Sequence, residues 1–456
     1  MHQPSAPVLK NNRRRARVAL RLRRYRYVSL SRRVWHRRAV FLSGAIFVGL
    51  AAVGFAELAD KAQDLYYEIM KTWPWLPFIM TPLGFIGLAH ITARFFPAAG
   101  GSGIPQVIAA RASSDTAHRL SLLGWPTMIA KIVMTALALM FGASVGREGP
   151  TVQVGASVMF AVASVAGIGR HNGLVLAGSA AGIAAAFNAP IAGILFAIEE
   201  LAKSFAGRIN DIVIASVAIA GGVSWLILGD YAYFGEVSAK MINAADWTAV
   251  PICAALGGLM GGIFSLLLVT ITQRPPRVIA VLRTKPAIFA GICGLIVAAL
   301  SVATAGYASG NGYRETRAGL LFGEQLPFWY GPSKLVATML SSASGIPGGL
   351  FSPSLAVGSG LGSMLTPLVT FVDPRAFMLL MTVGYFAAVV QAPLTAVVIV
   401  MEMTSDRNMV IPLMATALLA AGVSRLISRE PLYHALSHAY APRAQTGAAK
   451  PPQPGS

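Results

Sequence analysis

The stretch "GREGP", residues 146–150, places two oppositely charged side chains between uncharged sequences. Residues 132–145 before it and 149–169 after it contain no Lys, Arg, Asp or Glu. An ionised side chain at membrane depth is energetically costly and is therefore a functional candidate by default. The role of Glu148 at this position therefore needs an explanation.

The composition predicts a protein that crosses a membrane several times. The chain has 456 residues, of which 55% are hydrophobic and 12% charged, and its mean hydropathy is +0.62. Soluble domains carry about 25% charged residues. Residues 171–198, 335–372 and 376–401 are uncharged. Since a membrane helix needs about 20 apolar residues, these runs are long enough to span or to fold as paired shorter helices. We predict an all-α polytopic fold.

Cysteines and histidines indicate neither a disulfide framework nor a metal site. Cys253 and Cys293 both lie in apolar segments and are interpreted as small buried hydrophobes. His434 and His438 have i,i+4 spacing, but no acidic or cysteine ligand accompanies them. The sequence has no phosphate-binding glycine motif either. We expect no cofactor and no resident metal.

Basic residues concentrate at the N-terminus. The net charge is +19, and residues 1–40 hold 13 Lys or Arg and no acid. A cytoplasmic tail following the positive-inside rule and resting on anionic lipid is the favoured interpretation. A nucleic-acid-binding arm and a mitochondrial transit peptide remain alternatives on charge alone. No other feature of the chain favours a nucleic-acid partner.

An internal repeat appears at an offset of 203 residues and indicates two homologous halves with interrupted helices. The matching pairs are Gly146 with Gly349, Pro150 with Pro353, Ala189–Pro190 with Ala392–Pro393, and Glu199 with Glu402. The repeat fails at the ionisable positions. Arg147 and Glu148 correspond to Leu350 and Phe351, and Glu200 corresponds to Met403. A duplicated scaffold in which only the first half carries these ionisable residues is what a gate or proton relay needs.

The predicted organisation has five parts. They are a basic cytoplasmic tail (1–38), a first membrane repeat (39–230), a second membrane repeat (231–427), a C-terminal pore-contributing helix (428–440) and a disordered tail (441–456). Apolar segments fill the two repeats, the first of them at 39–57.

Three Gly/Pro-rich turns precede apolar helices: "GSGIP" (101–105), "GREGP" (146–150) and "GIPGGLFSP" (345–353). A helix N-terminus presents unpaired N–H donors and about half a positive charge. Three such ends meeting inside a membrane make an anion site without a full positive charge. For any one turn alone, a tight helix–helix junction is the plainer interpretation.

These turns, in this order, resemble the CLC family of chloride channels and proton-coupled chloride exchangers. The stretches "AAAFNAPIAGILFAIEE" (184–200), "QAPLTAVVIVMEMT" (391–404) and "EPLYHAL" (430–436) are also similar to that family. The resemblance covers roughly residues 40–440. It implies a fold of two inverted-topology repeats with tilted and broken helices, and a homodimer with one anion path per subunit.

The resemblance also implies roles for individual residues. Ser102, Tyr433 and the backbone N–H groups of Leu350 and Phe351 would hold a central anion. Gly146, Arg147, Glu148 and Gly149 would form the outer filter, with Glu148 as the gate. Glu200 matches the internal glutamate that passes protons in the exchangers.

Elementary electrostatics agrees with a gating role for Glu148. Its carboxylate has the same charge sign as chloride, so one pocket of donors binds either and the two compete. Protonation frees the pocket and couples anion movement to proton uptake. Arg147 is interpreted as bracing the loop or facing an aqueous vestibule. Glu199 is interpreted as structural, because a helix end pairing Glu199 with Lys203 explains it.

This sequence departs from the family just after GSGIP. Many relatives have acidic residues where this chain has Gln106, Val107 and Ile108. Ser102 favours chloride, because nitrate-preferring relatives tend to have Pro there. The fluoride-exporting branch has a different filter pattern.

We therefore predict a proton-coupled chloride antiporter in a bacterial inner membrane, with both termini cytoplasmic and with chloride, protons, lipid and a second copy as partners. A passive chloride channel on the same fold is the alternative. A remote one is an intramembrane serine hydrolase using Ser102 or Ser179, for which only His90 offers a base.

Overall fold

The computed structural model describes residues 32–167, 172–202, 211–229 and 232–442. Helices joined by turns and loops make up these ranges, with two isolated bridges and no β-strand. The helices of the first half are α1 (Arg32–Thr72), α2 (Pro77–Phe95), α3 (Ile104–Ala112), α4 (Thr116–Leu123), α5 (Trp125–Met140), α6 (Glu148–Val165), α7 (Asn172–Phe187), α8 (Pro190–Phe196), which continues as a π-helical segment (Ala197–Ala202), and α9 (Asp211–Leu228). Those of the second half are α10 (Ala249–Gln273), α11 (Arg277–Arg283), α12 (Pro286–Ala303), α13 (Tyr313–Phe322), α14 (Tyr330–Ala343), α15 (Phe351–Leu365), α16 (Pro374–Val390), α17 (Pro393–Thr404), α18 (Val410–Ile427) and α19 (Leu432–Ser437).

Six helical stretches within the described ranges are long and apolar enough to cross a membrane by length and composition. Seven α-helices carry Pro at their first or second position, where its missing N–H costs no intrahelical bond. The predicted all-α membrane class is confirmed.

The first helix is longer than its apolar sequence suggests. It begins at Arg32, inside the predicted tail, and runs to Thr72, well past the predicted end at residue 57. Its second part remains helical although it is polar, with an exposed i,i+4 pair of Lys61 with Glu57 at 3.7 Å. Most of the predicted tails, residues 1–31 and 443–456, lies outside the described residues.

The 203-residue repeat is visible in the helices. Helices α6 and α15 begin 203 residues apart, and so do α8 and α17. Between α7 and α8 the chain breaks at Asn188, and between α16 and α17 at the equivalent Gln391. Both residues adopt left-handed backbone, with φ of 52° and 58°. Each predicted long segment therefore folds as two shorter helices, one of the two forms the sequence left open.

A two-fold axis relating the halves passes between Gly146 and Gly349. Each donates its N–H to the carbonyl of the other, Gly146 at 2.8 Å and Gly349 at 2.7 Å, in an antiparallel bridge. Equivalent residues that exchange bonds in opposite chain directions are what an inverted repeat requires.

Glycine allows the equivalent helix pairs to touch through backbone. A Cβ on Gly155 of α6 would overlap the carbonyl oxygen of Gly178 on α7. In the second half, a Cβ on Gly358 of α15 would lie 3.0 Å from the carbonyl oxygen of Met381 on α16. These contacts bring the N-termini of α6 and α15 to the middle of the molecule.

Candidate anion and proton site

The three Gly/Pro-rich turns meet at one point. The turn before α15 binds the other two: Gly101 donates to Ile346 O at 3.1 Å, and Gly348 donates to Gly101 O at 3.1 Å. The Gly146–Gly349 bridge joins the third turn. Helices α3, α6 and α15 all begin at this crossing, so the convergence expected from the sequence is present in the geometry.

Close approach explains why glycine occupies these turns. A Cβ on Gly149 would lie 2.5 Å from Ser102 Oγ and 2.9 Å from Ser102 O. Gly103 has φ of +102°, a conformation that other residues rarely adopt. The backbone N–H groups at the helix starts can therefore approach a common centre.

Two buried hydroxyls face the crossing. Ser102 is 6% exposed and Tyr433 is fully buried. The two hydroxyls interact with each other, and within the described part of the chain neither has another hydrogen-bond partner. The Tyr433 ring packs edge-on against Phe351, with centroids 5.9 Å apart. A buried hydroxyl left unbonded is destabilising, so this pair is suited to an acceptor such as a halide ion.

Glu148 lies buried at the start of α6, with its carboxylate across the beginning of α15. Ser352 Oγ donates to Glu148 Oε1 at 2.5 Å. The other oxygen, Oε2, packs against Gly146, where a Cβ would displace the carboxylate. Sequence analysis missed Ser352, although its place directly after Phe351 in the "FSP" motif marked it as a neighbour of the predicted anion site.

Arg147 points away from the crossing. Its guanidinium donates to Ala56 O at 2.8 Å and pairs with Asp60 at 2.5 Å. These contacts fasten the turn to α1, in agreement with the bracing interpretation. Arg147 also lines a cavity of about 280 Å³ together with Tyr233.

A second cavity, of about 320 Å³, reaches Ser102 and Leu350. Its wall includes Thr272 on α10, whereas the Arg147 cavity includes Gln63 on α1. Gly49 of α1 and Gly258 of α10 pack against α9 and α18 with nearly identical contacts, so these two glycines are equivalent in the two halves. Gln63 follows Gly49 at the same separation as Thr272 follows Gly258, so Gln63 and Thr272 are equivalent too. An inverted repeat places such equivalents on opposite faces, so the cavities approach the crossing from opposite sides.

Tyr440 closes one wall of the Ser102 cavity. Its hydroxyl donates to Gly100 O at 3.2 Å. Burial raises the pKa of this phenol to about 12, so the donor stays protonated near neutral pH.

Two buried lysines hold the glycine-rich loops and were missed in the sequence. Lys131 on α5 donates to Gly101 O at 2.8 Å, and Lys334 on α14 donates to Gly310 O at 2.8 Å. The two are 203 residues apart, each the only charged residue of its helix. That coincidence within the repeat was the available signal.

Glu199 and Glu402 make equivalent contacts across the two-fold axis, each with a helix of the other half. The Glu199 carboxylate accepts from the N–H of Thr395 at the start of α17, at 2.7 Å, and Glu402 accepts from Ala192 at the start of α8, also at 2.7 Å. Each carboxylate thus caps a helix of the other half. The expected partner Lys203 lies outside the described residues.

Glu200 is buried in the π-helical segment after α8, 2% exposed. Its backbone carbonyl meets His434 Nε2 at 3.0 Å. The Tyr433 phenol lies within electrostatic reach of both Glu200 and Glu148. π-Helical turns are rare and occur frequently at functional sites.

Known proteins with similar sequences are ion transporters. Residues 83–425 match the model of the voltage gated chloride channel family. A protein of Vibrio campbellii named H(+)/Cl(-) exchange transporter ClcA is 31% identical over 83% of this chain and 83% of its own. The protein of the same name from Salmonella arizonae is 30% identical over 92% of both chains.

Solved structures share the fold. A slow cyanobacterial Cl⁻/H⁺ antiporter superposes with a TM-score of 0.75 at 24% identity, covering 88% of this chain and 97% of that one. A CLC-type fluoride/proton antiporter gives a TM-score of 0.73 at 22% identity, covering 86% and 96%. Taken with the matched family model and the similar sequences, the chain belongs to the voltage gated chloride channel (CLC) family.

Proposed function

We propose that this protein exchanges chloride for protons across a membrane. The observation that carries the proposal is the position of Glu148, a buried carboxylate at the same crossing of helix N-termini that presents the hydroxyls of Ser102 and Tyr433. Chloride and the Glu148 carboxylate are both anions, so both are attracted to the helix N-termini that meet at this crossing and compete for it. Protonation of Glu148 removes its charge, and the site then becomes available to chloride.

In the proposed central site, chloride accepts from the hydroxyls of Ser102 and Tyr433 and from the backbone N–H groups of Leu350 and Phe351. Gly146, Arg147 and Gly149 shape the outer part, where Arg147 is held by Asp60. No full positive charge contacts the ion there, which favours passage over tight retention.

Protons take a second route in this proposal. Glu148 exchanges them with the cavity lined by Arg147, and Glu200 exchanges them with the opposite side. The relatives named H(+)/Cl(-) exchange transporters support this scheme. We also infer a homodimer in a bacterial inner membrane, with both termini cytoplasmic.

A passive chloride channel on the same fold is the alternative, favoured by the family's own description. The serine hydrolase has little support: Ser179 Oγ donates to Val175 O within α7, and His90 lies exposed on α2.

Proteoliposomes distinguish exchanger from channel. Vesicles loaded with high chloride are diluted into low chloride at equal pH, and the external pH is followed. An exchanger drives protons inward as chloride leaves, so the external pH rises. Chloride efflux without a pH change establishes the channel, and Glu200→Gln should convert the first behaviour into the second.

A further inference from the structure

His434 lies against the proposed inner proton site and has no part in the scheme above. Its Nε2 is 3.0 Å from the backbone carbonyl oxygen of Glu200 and 3.9 Å from the carboxylate oxygen Oε1. The His434 side chain is 16% exposed, against 3% for that of Glu200. The imidazole is therefore the more exposed partner of a buried carboxylate.

The contact fixes which ring nitrogen carries hydrogen. A carbonyl oxygen only accepts, so Nε2 is the donor to Glu200 O. Nδ1 then remains the nitrogen that gains and loses a proton. Histidine is the side chain whose ordinary pKa lies between pH 5 and 8, which makes such exchange available under physiological conditions.

Few other ionisable groups face this contact. Helix α3, which packs against α19, has no Asp, Glu or His, and its Arg111 donates to Leu201 O. Helix α10 contains no charged residue, and Arg375 of α16 sits at that helix's first turn beside Asp373. Glu199 is engaged at α17. One turn further along, His438 pairs with Glu430 at 2.8 Å. Within the described residues, His434 is thus a titratable side chain in contact with Glu200, and the Tyr433 phenol also lies within electrostatic reach of that carboxylate.

We propose that His434 is the proton shuttle between the inner solution and Glu200, an inference that rests on the proposed exchange function. The imidazolium gives its Nε2 proton to Glu200 Oε1 after a small swing from the carbonyl or through one bridging water. Nδ1–H remains on the neutral ring. Glu200 then passes its proton on toward Glu148. The ring returns to its starting tautomer when Nδ1 releases its proton to the solution and Nε2 takes one up, so one proton in all has moved from the solution to Glu200.

Three variants test this by proton and chloride flux in proteoliposomes between pH 5 and 8. His434→Ala should lower proton turnover about a hundredfold or more, the lower end of the range for general acid–base catalysis. His434→Gln keeps an amide donor for Glu200 O but cannot titrate, so it should be equally slow. His438→Ala, one turn away and exposed, is the matched control and should behave as wild type. Added imidazole should partly restore His434→Ala.

The possible outcomes distinguish the shuttle role of His434 from the exchange function. Wild-type exchange with unchanged proton turnover and pH profile in His434→Ala overturns the shuttle and leaves the exchange function standing. Recovery in His434→Gln also overturns it, because that result assigns His434 a purely structural role. A wild-type protein that moves no protons at all removes the exchange function and the shuttle together.

Discussion

At the scale of single residues, chemistry concentrates on one carboxylate. Glu148 is the buried acid whose equivalent in the second half is Phe351, and its oxygens touch Ser352 and Gly146. The scaffold is duplicated while the ionisable group is not, so the crossing has an ionisable side chain from one half and an apolar one from the other.

Glu148→Ala should uncouple the two ions. Alanine removes both the competing charge and the proton carrier, so chloride flux persists while the proton-to-chloride ratio falls to background. Parallel measurement of both fluxes in proteoliposomes checks this. Full proton-driven chloride movement in the variant would show that Glu148 is not the gate.

Ser102→Ala and Tyr433→Phe should weaken chloride binding. Each removes one hydrogen bond to a charged ligand, which is worth about 1.5–3 kcal/mol, so the Kd from calorimetry should rise by about ten- to a hundredfold. Tyr440→Phe is a suitable control, because its hydroxyl bonds Gly100 O. Unchanged affinity in both test variants would take these hydroxyls out of the site.

Residue identities alone located much of this crossing, because the residues that meet there stand in short motifs. The spacing of "GSGIP", "GREGP" and "FSP" marks Ser102, Glu148 and Phe351 directly. Sequence analysis did not identify Ser352, Asp60 and the two lysines, because their contacts join positions far apart in sequence, such as Asp60 with Arg147. A serine or aspartate without its neighbour in space carries no signal.

At the scale of elements, the starts, ends and close contacts of helices determine how the chain is arranged. Proline starts many helices, left-handed Asn188 and Gln391 stop two of them, and glycines bring helix pairs into backbone contact. The repeat predicted which elements correspond. It did not predict that Glu199 and Glu402 cap each other's half, because an offset in sequence says nothing about which equivalent a side chain reaches.

Glu199→Gln and Glu402→Gln should lower stability by similar amounts. Each weakens a charged cap on a helix start, worth about 0.5–2 kcal/mol, and the two-fold relation makes the losses alike. Thermal unfolding in detergent measures both. If Glu199→Gln instead abolished proton transport with unchanged stability, the capping role would be wrong.

Gly155→Val should disrupt the packing of α6 on α7. Its side chain would collide with backbone at Gly178, and overpacking of this kind destabilises by about 1–3 kcal/mol or more. Gly87→Ala on α2 is the matched control, since a Cβ there meets no atom within 4 Å. Loss of folded dimeric or monomeric protein in gel filtration for Gly155→Val, but not for Gly87→Ala, is the expected result. Equal stability of the two would contradict the close-packing role.

At the scale of the whole molecule, two inverted halves place a cavity on either side of one crossing. One cavity ends at Arg147 and Tyr233, and the other at Ser102 and Leu350. Composition with its long uncharged runs predicted the membrane class, and the repeat predicted the two halves. The cavities depend on how α1 and α10 pack in each half, which no local pattern encodes.

The central claim is that protons and chloride are coupled through this crossing. The most direct measurement places wild-type protein in vesicles with equal chloride on both sides and a pH gradient, with the membrane potential clamped. Protons entering down their gradient should drive chloride out against its own rising gradient, and Glu148→Ala should abolish the effect. Chloride that stays at equilibrium in the wild type, while a chloride gradient alone still drives its flux, would contradict exchange and identify a channel.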